Sequence, residues 1–331
     1  MNKRLIAFLS VLSLSLSAPL LPANAVWNGI TNFEDKRTVP ILFDYDRVNC
    51  ASGFLYSPRI VFTVAHNLFV ENDLEKEQVT RRNLLWVGYP NDTLNRGVRR
   101  VIVEKSFVPN GYKSRTAWTG GNRITRINDF AVLVLKSPLP ADSKPVELLT
   151  PELHDQYIQS NEQINLTGYG TQLPEQAGRE CLNRKPSSYQ SPITSKTISA
   201  GNMLFTTTLN TKVSPGMPNL CDGDSGAGYT KIMSDKYVYL GAAGAGGLKN
   251  HNCSTYLPWL NEESIAGADP VYLFKDLIAE AEKYVADNPY VEPKTNNAGF
   301  NNKTTITCVK GKSTKKVTGL TPKCPKGFKK K

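Results

Sequence analysis

Three short stretches carry residues that could do chemistry together. His66 stands in Phe62-Thr63-Val64-Ala65-His66-Asn67, Asp129 leads the apolar run 130–135, and Ser225 lies in Cys221-Asp222-Gly223-Asp224-Ser225-Gly226-Ala227-Gly228. Taken singly, each has an ordinary structural explanation: a satisfied histidine at a strand end, a turn aspartate, a glycine-rich turn. Taken together they are complementary. A serine hydroxyl is a poor nucleophile at neutral pH and needs a base, and an imidazole titrates close to neutrality. A buried carboxylate fixes the imidazole tautomer and stabilises the imidazolium that forms. The backbone N–H groups of Gly223 and Ser225 can turn toward a developing oxyanion, and such donors are worth about 3–4 kcal/mol each in acyl transfer.

The elements that must position these residues are mostly short strands. Phe54-Leu55-Tyr56, Ile60-Val61-Phe62-Thr63-Val64, Val101-Ile102-Val103 and residues 130–135 and 237–240 are β-branched or aromatic runs, punctuated by Gly, Pro, Asn and Asp. Many short strands without long helical periodicity between them predict an all-β barrel or sandwich. Residues 271–286 differ: Leu273, Leu277, Ile278 and Tyr284 recur at helical spacing, which predicts one C-terminal amphipathic helix ending before Asn288-Pro289. A proline-rich bridge, 137–145, separates two β-rich halves, so the expected domains are 26–145 and 146–288, with a linker over 289–302.

Charge is confined to the ends. The chain has 331 residues and a formal net charge of +11. Residues 1–25 contain Lys3, Arg4 and no acid, and residues 303–331 contain ten lysines and no acid. Setting those aside leaves residues 26–302 at −1, so the body has no basic excess and no nucleic-acid partner is expected. Lys3 and Arg4, the apolar stretch 5–21 with its serines and Pro19, and Ala23-Asn24-Ala25 have the layout of a cleaved secretory signal over 1–25. The protein is therefore expected to be secreted, in a compartment where its six cysteines can form disulfides. There is no Cys-x-x-Cys pair, and the histidines are only His66, His154 and His251, so no metal site and no cofactor are expected.

The three motifs, in this order, resemble those of the chymotrypsin/trypsin-like family of serine endopeptidases over about residues 26–288. Thr167-Gly168-Tyr169-Gly170 is similar to that family's Gly-aromatic-Gly turn, and Pro270-Val271-Tyr272 to the strand before its C-terminal helix. The resemblance implies two antiparallel β-barrels with the active site between them, a C-terminal helix, and here a short basic tail. It implies catalytic His66, Asp129 and Ser225, an oxyanion hole at Gly223 and Ser225, and protein or peptide substrates. A catalytically inactive homologue, serving as a binding or adhesion module, is the alternative. The family pattern places Asn219 at the base of the specificity pocket, with Gly244 and Gly246 on its lining strand. Asn219 is neutral, so an uncharged side chain is expected at the cleaved position, although Asp269 could also reach the pocket.

Several positions depart from the family. Ala227 and Gly228 stand where Gly and Pro are usual, and Asn67 stands where a cysteine often follows the histidine. Gly244 lacks the hydroxyl that commonly supports the buried aspartate, and residues 71–125 look like inserted loops. The resemblance implies disulfides Cys221–Cys253 and Cys50–Cys181, and Cys308–Cys324 would close a loop within the tail over 303–331. That Lys-rich tail is expected to hold the protein to anionic cell-envelope polymer or lipid headgroups. In this family a new N-terminal ammonium pairs with the acid before the nucleophile. Here that pair would be Val26, freed by signal peptidase itself, and Asp224. N-terminal sequencing of the exported, active protein should therefore read Val26-Trp27-Asn28-Gly29; an active protein that begins at any other residue would contradict this route.

Overall fold

The computed structural model describes residues 29–31, 35–43, 50–73, 78–81, 85–92, 98–112, 116–119, 122–124, 128–171, 184–195, 198–200, 203–205, 209–213, 220–221, 223–248, 264–292, 304–319 and 322–331. It divides into two compact units, Met1–Pro289 and Tyr290–Lys331.

The first unit contains two closed rings of six antiparallel strands. The first ring comprises β1 (Thr38–Leu42), β2 (Cys50–Ser57), β3 (Ile60–Thr63), β4 (Trp86–Gly88), β5 (Arg100–Phe107) and β6 (Ala131–Leu135), closed in the order β6-β3-β2-β1-β4-β5. The second comprises β7 (Gln163–Gly168), β8 (Ser187–Ser195), β9 (Leu209–Val213), β10 (Gly228–Ile232), β11 (Tyr237–Leu248) and β12 (Ser264–Pro270). Its strands run β8-β7-β10-β11-β12-β9, and pairing of β8 with β9 at Ile193 and Thr211 closes the circle. The predicted two-barrel architecture is thus observed. The polar stretch read as inserted loops contains two barrel strands, β4 and β5. Exposed Glu104 and Lys105, followed by polar Ser106, hid the second half of β5.

Strands β3 and β6 are buried along their whole length. Side chains alternate between the two faces of a strand, so such a run must fill two different cores. Val61, Ala131, Leu133 and Leu135 pack with Val39, Ile41, Leu55 and Val87 inside the first barrel. The alternate residues Ile60, Phe62, Val132 and Val134 join Tyr229, Tyr239, Ile164 and Leu166 of the second barrel in a shared core. Phe62 is its hub, with ring centroids 4.6 Å from Tyr56, 5.4 Å from Phe130 and 5.0 Å from Tyr239. The continuous apolar runs are what let one pair of strands belong to both barrels.

Buried Arg37 fastens the proline-rich bridge. Its guanidinium donates to the carbonyls of Leu55, Tyr56, Asp142 and Lys144 at 2.6–3.0 Å. Burial lowers its pKa, partly offset by Tyr237, Asp142 and Asp35. The C-terminal helix forms as expected: a 3-10 turn, Val271–Phe274, leads into α2 (Lys275–Asp287). Phe274 stacks on Phe130 at 4.6 Å and Arg59 donates to the Asn288 carbonyl at 2.6 Å, so the helix that follows the second barrel is docked on the first. A further helix, α1 (Pro151–Ser160), was not expected. Thr150 caps it by accepting from the Leu153 N–H at 3.2 Å, Pro151 occupies its first turn, and Asn161 ends it in the left-handed region at φ 53°. Those are strong local helix signals, and their short, weakly apolar span hid them from a reading based on periodicity.

The second unit is a three-stranded sheet. Thr304–Lys310 pairs with Ser313–Gly319 across a turn at Gly311, and Lys329–Lys330 adds to the other edge. The predicted Cys308–Cys324 disulfide is present, with Cα atoms 5.6 Å apart. Cys50 and Cys221 are both disulfide-bonded, while their expected partners, Cys181 and Cys253, lie outside the described residues.

Candidate active site

His66 sits in a short 3-10 turn, Ala65–Leu68, directly after β3. Asp129 precedes β6, the antiparallel neighbour of β3, and the Ala131–Thr63 pairing brings the two ends level. The Asp129 carboxylate, 4% exposed, takes hold of His66 twice. Oδ1 accepts the His66 backbone N–H at 2.9 Å, and Oδ2 lies 2.7 Å from Nδ1. A carboxylate at Nδ1 favours the tautomer with its proton there and makes Nε2 the nitrogen that accepts a proton.

Ser225 is carried by the turn between Cys221 and β10. The Asp224 N–H donates to the Cys221 carbonyl, the Ala227 N–H to the Asp224 carbonyl, and the Gly226 N–H to Ala243 of β11, all at 2.7–2.9 Å. The N–H groups of Gly223 and Ser225 make no hydrogen bond among the described residues, although those of their neighbours Asp224 and Gly226 do. Gly223 has φ +96° and Gly226 φ +88°, conformations that favour glycine. A Cβ at Gly226 would overlap the Ser52 carbonyl oxygen and Thr63 Oγ1, so this glycine also allows the turn to press against the first barrel. Ser225 Oγ makes no hydrogen bond to His66 among the described residues; contacts between nucleophile and base are often long before substrate binds.

The link between the two sides runs through main chain instead. The Ser225 carbonyl accepts from the Ser52 N–H at 2.9 Å and from Asn67 Nδ2 at 3.0 Å. Asn67 Nδ2 also donates to Thr63 Oγ1 at 3.0 Å, and Thr63 Oγ1 donates to the Ser52 carbonyl at 2.9 Å. Ser52 Oγ accepts from the Tyr169 N–H at 2.8 Å and donates to the Gly223 carbonyl at 2.9 Å. Sequence reasoning noted Asn67 only as a missing cysteine and did not single out Ser52.

Asp224 is 1% exposed. Its carboxylate accepts the Gly170 N–H at 2.7 Å and the Cys221 N–H at 2.9 Å. Side chains at Gly168 or Gly170 would occupy the space of this carboxylate, which gives the Gly-Tyr-Gly turn its physical reason. Val26 and Asn219 lie outside the described residues. Gly246 is paired with Ala266 in the β11–β12 ladder. Gly244 sits at a β-bulge between Ala243 and Ala245, where an ideal Cβ would be 3.1 Å from Asp129 Oδ2. Asp269, considered for the pocket, is instead beside the acid of the pair: its Oδ2 accepts the Asp129 N–H at 3.0 Å. Burial raises its pKa to about 6, the Asp129 N–H opposes that shift, and the Asp129 charge adds to it. Among the described residues no cluster of three or more His, Cys, Asp or Glu side chains could hold a metal ion.

A family model described as Trypsin matches residues 35–252. No curated protein matches the chain. With that match over more than half its length, two closed barrels, and His66, Asp129 and Ser225 at their junction, the chain belongs to the trypsin family of serine proteases.

Proposed function

We propose that the protein is a secreted, active serine endopeptidase. The observation that carries this reading is the double hold of Asp129 on His66, beside a serine turn with two N–H groups that make no hydrogen bond among the described residues. In this reaction Ser225 Oγ attacks the substrate carbonyl carbon and passes its proton to His66 Nε2. The oxyanion of the tetrahedral intermediate accepts from the Gly223 and Ser225 N–H groups. Collapse expels the amine, which takes the proton from His66, and water hydrolyses the acyl-enzyme by the same steps with His66 again as base. Neutral Asn219, with Gly244 and Gly246 along the pocket strand, selects an uncharged side chain at the cleaved position.

Asp224 is the acid that would receive the Val26 ammonium. Its seat on two backbone N–H groups, walled by two glycines, supports that role: movement of this carboxylate would pull on the turn bearing Gly223. The signal layout of residues 1–25 supports export. In the tail, Lys315 and Lys330 pair with Cys308, while Lys316 and Lys329 pair with Thr307 and Val309. Alternation along the strands therefore puts lysines on both faces of the small sheet. A unit so basic on all sides suits an extended polyanion or an anionic lipid surface.

The test of function is covalent labelling by a fluorophosphonate, which needs an activated serine. Ser225 should be labelled, and Ser225→Ala should abolish labelling and lower peptide turnover by several orders of magnitude while the fold persists. A folded protein that resists the reagent and cleaves no peptide library would be an inactive binding module instead. For the tail, removal of residues 303–331 should leave labelling unchanged and reduce retention on anionic envelope, most at low salt. Equal retention at low salt would exclude the anchoring role.

A further inference from the structure

Asp269 is a second carboxylate placed against the acid that orients His66. Asn128, at φ 53°, turns the chain sharply into Asp129, and the Phe130 N–H folds back to the Asn128 carbonyl at 2.9 Å. The Asp129 N–H leaves this turn toward β12, where Asp269 Oδ2 accepts it at 3.0 Å. Asp129 is therefore held from both ends, by His66 at its carboxylate and by Asp269 at its main chain. The neighbouring strand β11 passes Asp129 Oδ2 at Gly244 and brings no side-chain donor from that position. Asp269 itself pairs with Ala242 on β11, between Gly241 and Ala243. Its place in the sheet is fixed by the ladder, and its immediate partners carry no charge.

We propose that Asp269 is a positioning residue of the site: as a carboxylate it fixes the Asp129 main chain in the position from which Asp129 orients His66, and it adds a second negative charge behind the imidazolium formed during acylation. This rests on the reading of the chain as an active serine peptidase. Two like charges this close, one of them partly buried, resist simultaneous ionisation. The charged group acting on Asp269 among the described residues is Asp129, whose carboxylate in turn holds His66. Asp269 ionises near pH 6 in the folded protein, against an ordinary value of 3.8.

The raised pKa of Asp269 links its ionisation to folding stability. The folded pKa lies above the unfolded one, so the unfolded chain releases this proton first. Stability falls as pH rises from about 4 to about 6, and above that window ionised Asp269 is a standing cost to folding.

The experiment follows the second-order rate of Ser225 phosphonylation against pH in the mature protein and in Asp269→Asn. The His66 ring-proton titration is read by NMR on the same samples. In the wild type the acid limb should be steeper than one proton below about pH 6, because His66 and Asp269 must both be deprotonated for the full rate. This needs no variant. Asp269→Asn, which keeps an acceptor oxygen but not the charge, should show a limb of unit slope and a lower His66 pKa. Its rate at pH 8 should fall by roughly tenfold, the scale of one pKa unit of lost interaction. Its denaturation midpoint at pH 8 should be equal to or higher than that of the wild type. A limb of unit slope in both proteins, with the same His66 pKa, would overturn the proposal. A wild type that is unlabelled at every pH would instead overturn the peptidase reading. The NMR titration needs no turnover and would then still decide the role of Asp269: a His66 pKa unmoved by Asp269→Asn rejects it.

Discussion

The carbonyl oxygen of Ser225 accepts two hydrogen bonds from the first barrel, from the Ser52 N–H and from Asn67 Nδ2, and the geometry of the site depends on that junction. Asn67 follows His66 directly, so a single side chain ties the segment bearing the imidazole to the main chain of the serine. Ser52 reaches the same turn at the Gly223 carbonyl and reaches the second barrel at the Tyr169 N–H. Ser52 and Asn67 are buried, and a buried polar group left unpaired costs about 1–3 kcal/mol. The barrels therefore cannot slide past one another here without losing several bonds at once. Gly226 makes the junction possible, because any side chain there would separate the turn from Ser52 and Thr63.

Three acids surround the site, and each is bound by backbone N–H groups or binds one. Asp224 accepts two N–H groups in full burial. Asp129 accepts one N–H and the imidazole. Asp269 accepts one N–H, from Asp129, and has a raised pKa. An amide N–H aimed at a carboxylate favours its charged form. The arrangement fixes where negative charge sits on both sides of the serine turn: behind His66, and beneath the segment carrying the Gly223 and Ser225 N–H groups.

Much of this was legible in the sequence because the informative residues are local. The His66, Asp129 and Ser225 segments are short strings whose residue types fit one chemistry, and the strands beside them are apolar enough to see. The runs 60–63 and 131–135 are buried on both faces, so they stand out from any background. Strands β8 and β9, read as Ser-Ser-Tyr-Gln-Ser-Pro-Ile-Thr-Ser and Leu-Asn-Thr-Lys-Val, complete the second barrel with few apolar residues and gave little signal. Helix α1 was hidden by its weak amphipathicity, although its Thr-Pro start is a capping signature. The roles of Ser52 and Asn67 arise from contacts between residues 117 to 173 positions apart in the chain, which no spacing rule reveals. Asp269 was noticed as an acid in an Ala-Gly-Ala-Asp-Pro stretch, but only the β11–β12 register, with its bulge at Gly244, decides that it faces Asp129.

The central claim is that a serine turn whose Gly223 and Ser225 N–H groups make no hydrogen bond among the described residues and a carboxylate-held imidazole form one acyl-transfer site. A crystal structure of the protein after reaction with an organophosphonate addresses it most directly. The account predicts phosphorus bonded to Ser225 Oγ and its oxygen within about 2.7–3.1 Å of both the Gly223 and Ser225 nitrogens, with His66 Nδ1 still on Asp129. An adduct at another residue, or a phosphonyl oxygen turned to solvent while both N–H groups remain unengaged, would contradict it.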